Sequence, residues 1–552
     1  MIIEVGKLSK RKKYGLVWEN KKEEVVESCK KKLPVLAEDK NKEIMNNQSN
    51  GVNVLIEGDS YHALSVLNYT HKGKIDVIYI DPPYNTGNSN FIFNDRYVDI
   101  EDEYRHSKWI SFMEKRLKLA RNLLKSTGVI FISIDDNEMP QLRLLCDEIF
   151  LEKNRLDRGM LIWNNAGSTR GFRNIVKNHE YILAYAKNFG MVKNYFGENF
   201  PNELGVVEDR LQIKRTKRNP ICRLKFLKGT PIEGVKDIKF EGSVGGTTNN
   251  IDIINRPMIF KNGKLAEDVI LEASFPYRFQ VEKYYKNLET GEKTYDAKGQ
   301  EIISIFFRKN GVPYYRKMRN IQVLGSILEN MPNSGLKDLQ EILPHVEFSN
   351  PKPVELIEKL LAYFAPKDGI ILDFMEGSGT TGQAVIEINK KDKGKRRFIL
   401  VNLNEKKEDK EVNICTDICY PRLKKAIGNK ENLKYFKTDF VDAEPTDKNK
   451  VKLTRKATEI LCLREETYEK VMEKEAFKIY RSNDKYTGII FDNKAIEEFK
   501  EEAKKLNGRF SVYVFSLGGD TFDDEFEDLR RKVKIIPIPE SILNTYKKIF
   551  GG

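Results

Sequence analysis

The residues of this sequence best suited to chemistry are the tetrapeptide Asp81-Pro82-Pro83-Tyr84, which directly follows the apolar run 75–80. That run is rich in β-branched residues and predicts a buried parallel strand. Prolines cannot continue a sheet ladder, so we expect the strand to end there, with its carboxylate at the sheet edge where open α/β sheets bind ligands. Asp81 and a proline carbonyl can accept the hydrogens of an exocyclic amine, and Tyr84 can stack on a flat base. Taken alone, the four residues would equally suit a turn that closes a strand.

A second strand, turn and helix pattern lies far downstream. Residues 369–374 predict a short buried strand, 375–382 are rich in glycine, and 383–387 have helical character. Such a loop lets the backbone approach a ligand closely at a helix amino terminus. A phosphate-binding loop would need Lys and Ser or Thr where this sequence has Gln383 and Ala384, which disfavours an NTPase. The pattern favours an adenosine ligand with an uncharged tail.

Together the two motifs resemble the β group of DNA amino-methyltransferases, and more narrowly the modification subunit of type III restriction-modification systems. That family carries Asp-Pro-Pro-Tyr as its catalytic motif and, later in the chain, Phe-x-Gly-x-Gly as its S-adenosylmethionine motif. A target-recognition region separates the two. This sequence has that order, with one extra residue between Phe374 and Gly377. Further segments that resemble the family are 13–19, 56–64, 128–138, 179–187 and 350–356.

The resemblance implies a fold, a cofactor and site residues. The fold class is α/β: a Rossmann-like S-adenosylmethionine-dependent methyltransferase sheet in circularly permuted order, with an inserted target-recognition domain and a small C-terminal domain. The catalytic residues would be Asp81, Pro82, Pro83 and Tyr84, with no metal. S-adenosyl-L-methionine would be bound by Asp59, Asp373, Phe374, Gly377, Ser378, Gly379, Thr380, Thr381, Asn402 and Glu405. Many relatives have an acid for the ribose hydroxyls where this chain has Asn402, so either Asn402 or Glu405 could bind them.

The implied chemistry is direct methyl transfer to an aromatic amine. Asp81 and the Pro82 carbonyl would localise the amine lone pair toward the sulfonium methyl, and positioning would dominate the rate. The C5-cytosine enzymes need a Pro-Cys pair, which this sequence lacks. Asp at the first motif position favours N6 of adenine over N4 of cytosine. The alternatives are an N4-cytosine enzyme, a solitary regulatory, RNA or small-molecule methyltransferase, and a catalytically silent DNA-binding subunit.

Composition is compatible with this family. A formal net charge of +13 favours a polyanionic partner such as double-stranded DNA, although a solvated basic surface would give the same value. We find no apolar stretch of membrane-spanning length and no signal-peptide pattern, and we therefore expect a cytoplasmic protein without a membrane partner. The six cysteines predict neither a disulfide framework nor a zinc site. The resemblance further implies a homodimer and a separate helicase-nuclease restriction subunit.

Changes in composition along the chain predict its organisation. The predicted blocks are an N-terminal arm (1–50), the catalytic half of the methyltransferase core (51–190), the target-recognition domain (191–340), the cofactor half of the core (341–440) and a C-terminal partner-contact domain (441–552). In 191–340 basic residues alternate with aromatics and Asn-Gly turns, which predicts a β-rich insertion that either contacts DNA or is simply a solvated basic domain. The last block could equally be a stabilising domain without a partner.

Overall fold

The structure is a computed structural model that describes residues 21–46, 51–86, 104–165, 177–246, 249–296, 299–319, 322–404 and 413–550. It divides into two compact units, one formed by 1–195 with 325–552 and the other by 196–324. The second unit lies inside the segment predicted for target recognition. The segment 13–19 and Glu405 lie outside the described residues.

Strands and helices alternate along the first unit. Up to residue 195 its strands are β1 (Lys32–Glu38), β2 (Val52–Glu57), β3 (Ile75–Ile80), β4 (Leu124–Ile134), β5 (Arg155–Asn164) and β6 (His179–Ala186). Its helices there are α1 (Glu24–Lys31), α2 (Ser60–Thr70), α3 (Arg105–Leu123) and α4 (Met139–Cys146).

The second unit is mostly β-structure. Its strands are β7 (Val206–Arg210), β8 (Cys222–Phe226), β9 (Ile238–Phe240), β10 (Ser243–Gly246), β11 (Asn249–Ile253), β12 (Met258–Lys261), β13 (Lys264–Leu265), β14 (Val269–Ala273), β15 (Thr294–Tyr295), β16 (Glu301–Phe307) and β17 (Pro313–Met318). Its helices are α5 (Phe196–Asn199) and α6 (Arg278–Thr290). The strands pair antiparallel in small sheets around a core that contains Phe226, Phe260 and Phe307.

The first unit resumes after residue 325. Its further strands are β18 (Ile327–Leu328), β19 (Ile370–Asp373), β20 (Arg397–Asn402), β21 (Asn432–Asp442), β22 (Glu469–Glu473), β23 (Phe477–Ser482), β24 (Lys485–Ile490), β25 (Arg509–Phe515) and β26 (Val533–Ile538). Its further helices are α7 (Leu336–Ile342), α8 (Val354–Phe364), α9 (Thr380–Asp392), α10 (Tyr420–Ile427), α11 (Asp447–Lys456), α12 (Thr458–Glu465), α13 (Ile496–Lys505) and α14 (Glu540–Phe550). No helix in the described ranges is long and apolar enough to cross a membrane.

A large mixed sheet forms the core of the first unit, in the order β1-β21-β2-β20-β19-β3-β4-β6-β5-β18. All neighbours from β21 to β4 are parallel, whereas β1 and β6 run antiparallel to the strands beside them. The predicted mostly parallel α/β sheet is therefore observed. Since β3 and β19 are parallel neighbours, Asp81 and Asp373, which follow and end them, lie at the same sheet edge.

One buried carboxylate joins these two strands. Asp76, the second residue of β3, accepts a hydrogen bond from the backbone N–H of Ile370 at 2.9 Å. The same carboxylate pairs with the Lys125 ammonium at 2.8 Å, so its charge is compensated. A polar residue in the otherwise apolar run 75–80 thus links the start of β19 to β3. This hydrogen bond helps to fix the register of the two strands and so the relative positions of their ends.

Candidate active site

The ends of β3 and β19 open into one cavity of about 230 Å³. The first motif contributes Asp81, Pro82 and Tyr84 to its wall, and the glycine loop contributes Asp373, Gly377, Ser378, Thr380 and Thr381. Two motifs almost three hundred residues apart thus share a single cavity, as a joint role requires. The wall also includes Glu180, from β6, and Lys352, from the segment before α8.

A lysine ammonium lies against the Asp81 carboxylate. Lys352 Nζ is 3.0 Å from Asp81 Oδ2 and 3.4 Å from Glu180 Oε2. It also lies 4.9 Å from the centre of the Tyr84 ring, and the Tyr84 hydroxyl donates to Glu180 Oε2 at 2.9 Å. The ammonium therefore occupies a place next to a carboxylate and an aromatic face, which is the environment that a base amine would need.

Burial and charge act in opposite directions on this pair. Burial raises the pKa of Asp81, and the Lys352 ammonium lowers it only in part, so that the net pKa is raised. Burial lowers the pKa of Lys352, but Asp81 and Glu180 more than reverse this, and the lysine stays charged. The Asp81 Oδ1 atom is buried and accepts no hydrogen bond from the described residues. It is therefore available to accept a hydrogen bond from a ligand.

The turn that follows β3 is held by groups outside the motif. The Trp109 indole, fully buried in α3, donates to the Pro83 carbonyl at 2.8 Å. Asn85 has a φ of 57° and donates from its amide to Glu138 Oε1 at 2.6 Å. Asparagine tolerates this left-handed conformation better than most residues do. Hydrogen bonds at Pro83 and Asn85 thus stabilise the turn that follows Asp81, and they help to fix the position of its carboxylate.

The glycine loop is shaped by two buried carboxylates. Asp373 accepts from the backbone N–H of Met375 at 2.9 Å and from the Thr381 hydroxyl at 2.7 Å. Glu376 Oε1 accepts from the backbone N–H of Thr381 at 3.1 Å, while its buried Oε2 accepts no hydrogen bond in the described part of the chain. Burial raises the pKa of both carboxyls, and Glu376 raises that of Asp373 further. A cationic ligand would favour the ionised forms of these two carboxyls.

Arg422 stabilises the glycine loop through hydrogen bonds. The side chain is fully buried and donates to the Ser378 and Thr380 hydroxyl oxygens, both at 2.9 Å. Gly379 has a φ of 91°, and a Cβ there would lie 3.3 Å from Arg422 Cδ, so both conformation and space favour glycine. Nothing in the sequence around Arg422 indicates this role, because α10 lies outside the motif.

A larger cavity of about 620 Å³ shares Met375 and Glu376 with the first. Asp59, Pro83 and Phe374 line it. Asp59 caps α2 by accepting from the Tyr61 backbone N–H at 2.7 Å, and it pairs with Arg116 at 3.2 Å. Apart from Gly379 and Asn402, which line neither cavity, the predicted cofactor residues that the structure describes divide between two adjoining cavities, as an elongated ligand would require.

Asn402 contacts the glycine loop in the structure. Its side chain is buried and donates to the Gly377 carbonyl at 2.7 Å. It lines neither cavity, whereas its neighbours Val401 and Leu403 line the larger one. Asn402 therefore holds the glycine loop in the structure, and a role in ribose binding stays a prediction.

Comparison with known proteins agrees with this geometry. The profile of the N6/N4 methylase family, described as DNA methylase, matches residues 75–437, about two thirds of the chain. This chain belongs to the DNA methylase family. The match runs from β3 into β21, so it contains both motifs and the whole unit between them.

Individual family members differ in how much of their length the chain matches. The Mod subunit of the type III restriction-modification enzyme EcoP15I of Escherichia coli is 31% identical over 424 residues, 68% of this chain and 62% of that protein. The type II methyltransferase M.KpnI of Klebsiella pneumoniae is 27% identical over 400 residues, 70% of this chain and 90% of that protein. The chain spans about three fifths of the length of the curated type III relatives that it matches.

Solved structures resemble this methylase family member only weakly. The M1.HpyAVI–SAM complex aligns with 68% of this chain and 99% of its own, at 13% identity and a TM-score of 0.30.

Proposed function

We propose that this protein is a site-specific DNA methyltransferase that transfers a methyl group from S-adenosyl-L-methionine to N6 of a flipped adenine, as the modification subunit of a type III restriction-modification system. The observation that carries the proposal is the shared cavity, in which Asp81 offers a buried acceptor beside the glycine loop. The similarity to type III Mod subunits supports the choice of system.

The strand order supports a circularly permuted methyltransferase sheet. The strands that carry the two motifs are neighbours, yet the catalytic strand β3 precedes β19 in the chain and the second unit lies between them. In that unit, residues 214–218 form an exposed turn that contains Lys214, Arg215, Lys217 and Arg218. These cations support target recognition by the unit, because basic side chains hold phosphates and position a protein on DNA.

The chain's own residues fit S-adenosyl-L-methionine. The buried Asp373 and Glu376 suit a ligand with a positively charged tail, whereas the residue pattern of the loop by itself favours an uncharged one. Residues 377–381 would approach the tail, and Asp59 and Phe374 the adenosine end. When bound, the cofactor supplies an electrophilic methyl group on a sulfonium.

The protein's part in the reaction is to bind and orient the amine. The base amine would replace the Lys352 ammonium as the partner of Asp81, while Tyr84, held by Glu180, stacks on the ring. Flipping the base costs a few kcal/mol, on the order of 3, and good alignment lowers the barrier by about 7–11 kcal/mol. Transfer leaves the nitrogen with one proton too many, and the Asp81 carboxylate, whose pKa burial raises, would accept it.

The proposed setting follows from the same family. The substrate would be double-stranded DNA in the cytoplasm, and the partners a second copy of the chain and a helicase-nuclease restriction subunit. Such a subunit would perform the cleavage, since this chain's described cavity suits methyl transfer.

The test is the substitution Asp81→Ala with tritium-labelled S-adenosyl-L-methionine and unmethylated DNA. We expect transfer to fall about 100- to 1000-fold, because the group that orients the amine is lost, while cofactor binding persists. Label in wild-type digests should appear in N6-methyladenine. The exposed Asp368→Ala is a matched control and should leave transfer unchanged.

Two results would contradict the proposal. Transfer at the wild-type rate in Asp81→Ala would remove the role of Asp81. Label confined to N4-methylcytosine would overturn the choice of adenine.

A further inference from the structure

A strongly basic cavity of about 410 Å³ lies in the C-terminal sheet, apart from the site described above. It opens where the parallel strands β24, β25 and β26 begin. Its basic side chains are Lys485, Arg509, Arg530, Arg531, Lys532 and Lys534. The one carboxylate among the lining residues is Glu465.

The fold uses only a few of these charged groups. Lys532 donates to the backbone carbonyls of Ala503, at 2.7 Å, and Leu506. The Glu465 carboxylate is occupied, because it accepts from the Ser511 hydroxyl at 2.8 Å and the Tyr513 hydroxyl at 2.5 Å. Both of its oxygens thus bind hydroxyl donors, and it forms no ion pair with the basic side chains that line the cavity.

Most of the remaining cations have no compensating charge. Lys485, Arg509, Arg531 and Lys534 are exposed, and none of them forms an ion pair within the described part of the chain. Arg530 has only a distant one, 3.8 Å from Glu527. The cavity thus presents a concentrated positive field with little internal screening.

The strand register brings like charges together. Lys485 and Arg509 are direct partners in the pairing of β24 with β25, and Lys534 lies opposite Ser511 on the next strand. Like charges placed directly opposite each other destabilise a sheet. Within the described ranges neither Lys485 nor Arg509 forms an ion pair that would offset this repulsion, whereas a bound anion would do so.

The dimensions and chemistry of the lining fit a phosphodiester backbone. Neighbouring strands are about 4.8 Å apart, so three strands spread the cations over about 10 Å. One DNA strand presents a phosphate about every 3.4 Å of helix axis, so two or three phosphates fit this span. The lining contains neither Asn nor Gln, side chains suited to reading adenine edges. Readout of adenine edges is therefore disfavoured, and the Lys and Arg side chains of the lining suit phosphates.

We propose that this cavity binds the phosphate backbone of double-stranded DNA and contributes sequence-independent affinity for the substrate. The inference builds on the proposed function, since the DNA is the same molecule that is methylated. It assigns to the C-terminal sheet a role in substrate binding that is separate from methyl transfer.

The test compares two triple variants of the full chain with the same change in net charge. One is Arg509→Gln, Arg531→Gln, Lys534→Gln in the cavity. The control is Lys494→Gln, Lys547→Gln, Lys548→Gln, exposed positions in the same region that do not line it. Binding to a mixed-sequence DNA duplex is measured by fluorescence anisotropy over a series of salt concentrations.

We expect the cavity variant to bind more weakly, with the slope of log K against log salt reduced in magnitude by about 2 to 3, because each lost phosphate contact removes about 0.9. The control should keep the wild-type slope. In the cavity variant, KM for DNA should rise while kcat at saturating DNA and affinity for S-adenosyl-L-methionine stay unchanged.

Equal slopes in the cavity variant, the control and the wild type would overturn the inference. That result would favour an acidic protein surface as the occupant. If the wild type itself transfers no methyl group to DNA, the proposed function fails instead, so the two failures are distinguishable.

Discussion

At the scale of single residues, the candidate site depends on charges placed where burial makes them costly. Burial raises the pKa of Asp81, and the Lys352 ammonium, 3.0 Å away, lowers it in part, while Glu180 links that lysine to the Tyr84 hydroxyl. Only the first and last of these four residues belong to the tetrapeptide. The other two determine how readily the carboxylate titrates and how the aromatic ring is held.

Lys352 controls the pH dependence of the proposed reaction. Substituting Lys352→Met removes the cation that lowers the pKa of Asp81 and leaves the burial that raises it, so the pKa rises. Because the ionised carboxylate orients the amine under the proposed function, the acid limb of the kcat/KM profile should move to higher pH, with rates converging on the alkaline side. Lys359→Met, on α8, is the control and should keep the wild-type profile. An unshifted acid limb in Lys352→Met would refute this role.

The buried pair Asp373 and Glu376 predicts pH-dependent cofactor binding. Both pKa values are raised, so at low pH the carboxyls are neutral and hold a cation poorly, and affinity for S-adenosyl-L-methionine should increase as the pH rises through their pKa values. Glu376→Gln should flatten this dependence, because its amide oxygen still accepts from the Thr381 N–H but carries no charge. Titration calorimetry at several pH values measures the affinity for S-adenosyl-L-methionine in the wild type and in Glu376→Gln. S-adenosylhomocysteine, which has no sulfonium, should show a weaker trend, and equal trends would count against the explanation.

At the scale of elements, the site exists because β3 and β19 are neighbours and α9 packs tightly behind the loop. Asp76 links the two strands through a hydrogen bond, and Gly382 allows α9 to pack closely against β20 and α10. A Cβ on Gly382 would lie 2.3 Å from Leu423 Cδ2 and 2.9 Å from Leu400 Cδ1. The last glycine of the motif is thus required by packing rather than by contact with a ligand.

Substituting Gly382→Ala should therefore lower stability. Overpacking of this kind costs about 1–3 kcal/mol, and the displaced helix should also weaken cofactor binding. Thermal unfolding with and without S-adenosyl-L-methionine measures both effects. Gly246→Ala has no atom within 4 Å of the added Cβ and serves as the control. A Tm equal to that of the wild type would show that the helix can shift without cost.

At the scale of the whole molecule, the chain forms two units, each with a core of its own. In the unit 196–324, Phe307 is fully buried and its ring centre lies 5.1 Å from that of Phe226 and 5.2 Å from that of Phe260. Both cavities of the candidate site are lined by residues of the other unit alone. Target recognition, as proposed, can therefore be impaired without damage to the cofactor site.

The substitution Phe307→Ala tests this separation. It should destabilise the unit 196–324 by about 3–5 kcal/mol and, under the proposed function, abolish site-specific methylation. Affinity for S-adenosyl-L-methionine should remain, because no described residue of the cofactor cavities belongs to that unit. Leu372→Ala, in the buried strand β19, should have the opposite pattern and lose cofactor binding. Calorimetric unfolding and titration would measure both, and loss of cofactor affinity in Phe307→Ala would contradict the separation.

The sequence by itself determined the local parts of this protein: a β-branched strand stopped by two prolines, a glycine turn before a helix, and the resemblance to a DNA methylase. These features depend on neighbours in the chain, so composition and spacing are enough to find them. Only the tertiary structure decided that Lys352 and Glu180 contact the first motif. It also decided that Arg422 and Asn402 contact the glycine loop. Their partners lie up to hundreds of residues away, and strand register and packing, which no local pattern encodes, bring the charged groups within hydrogen-bonding distance.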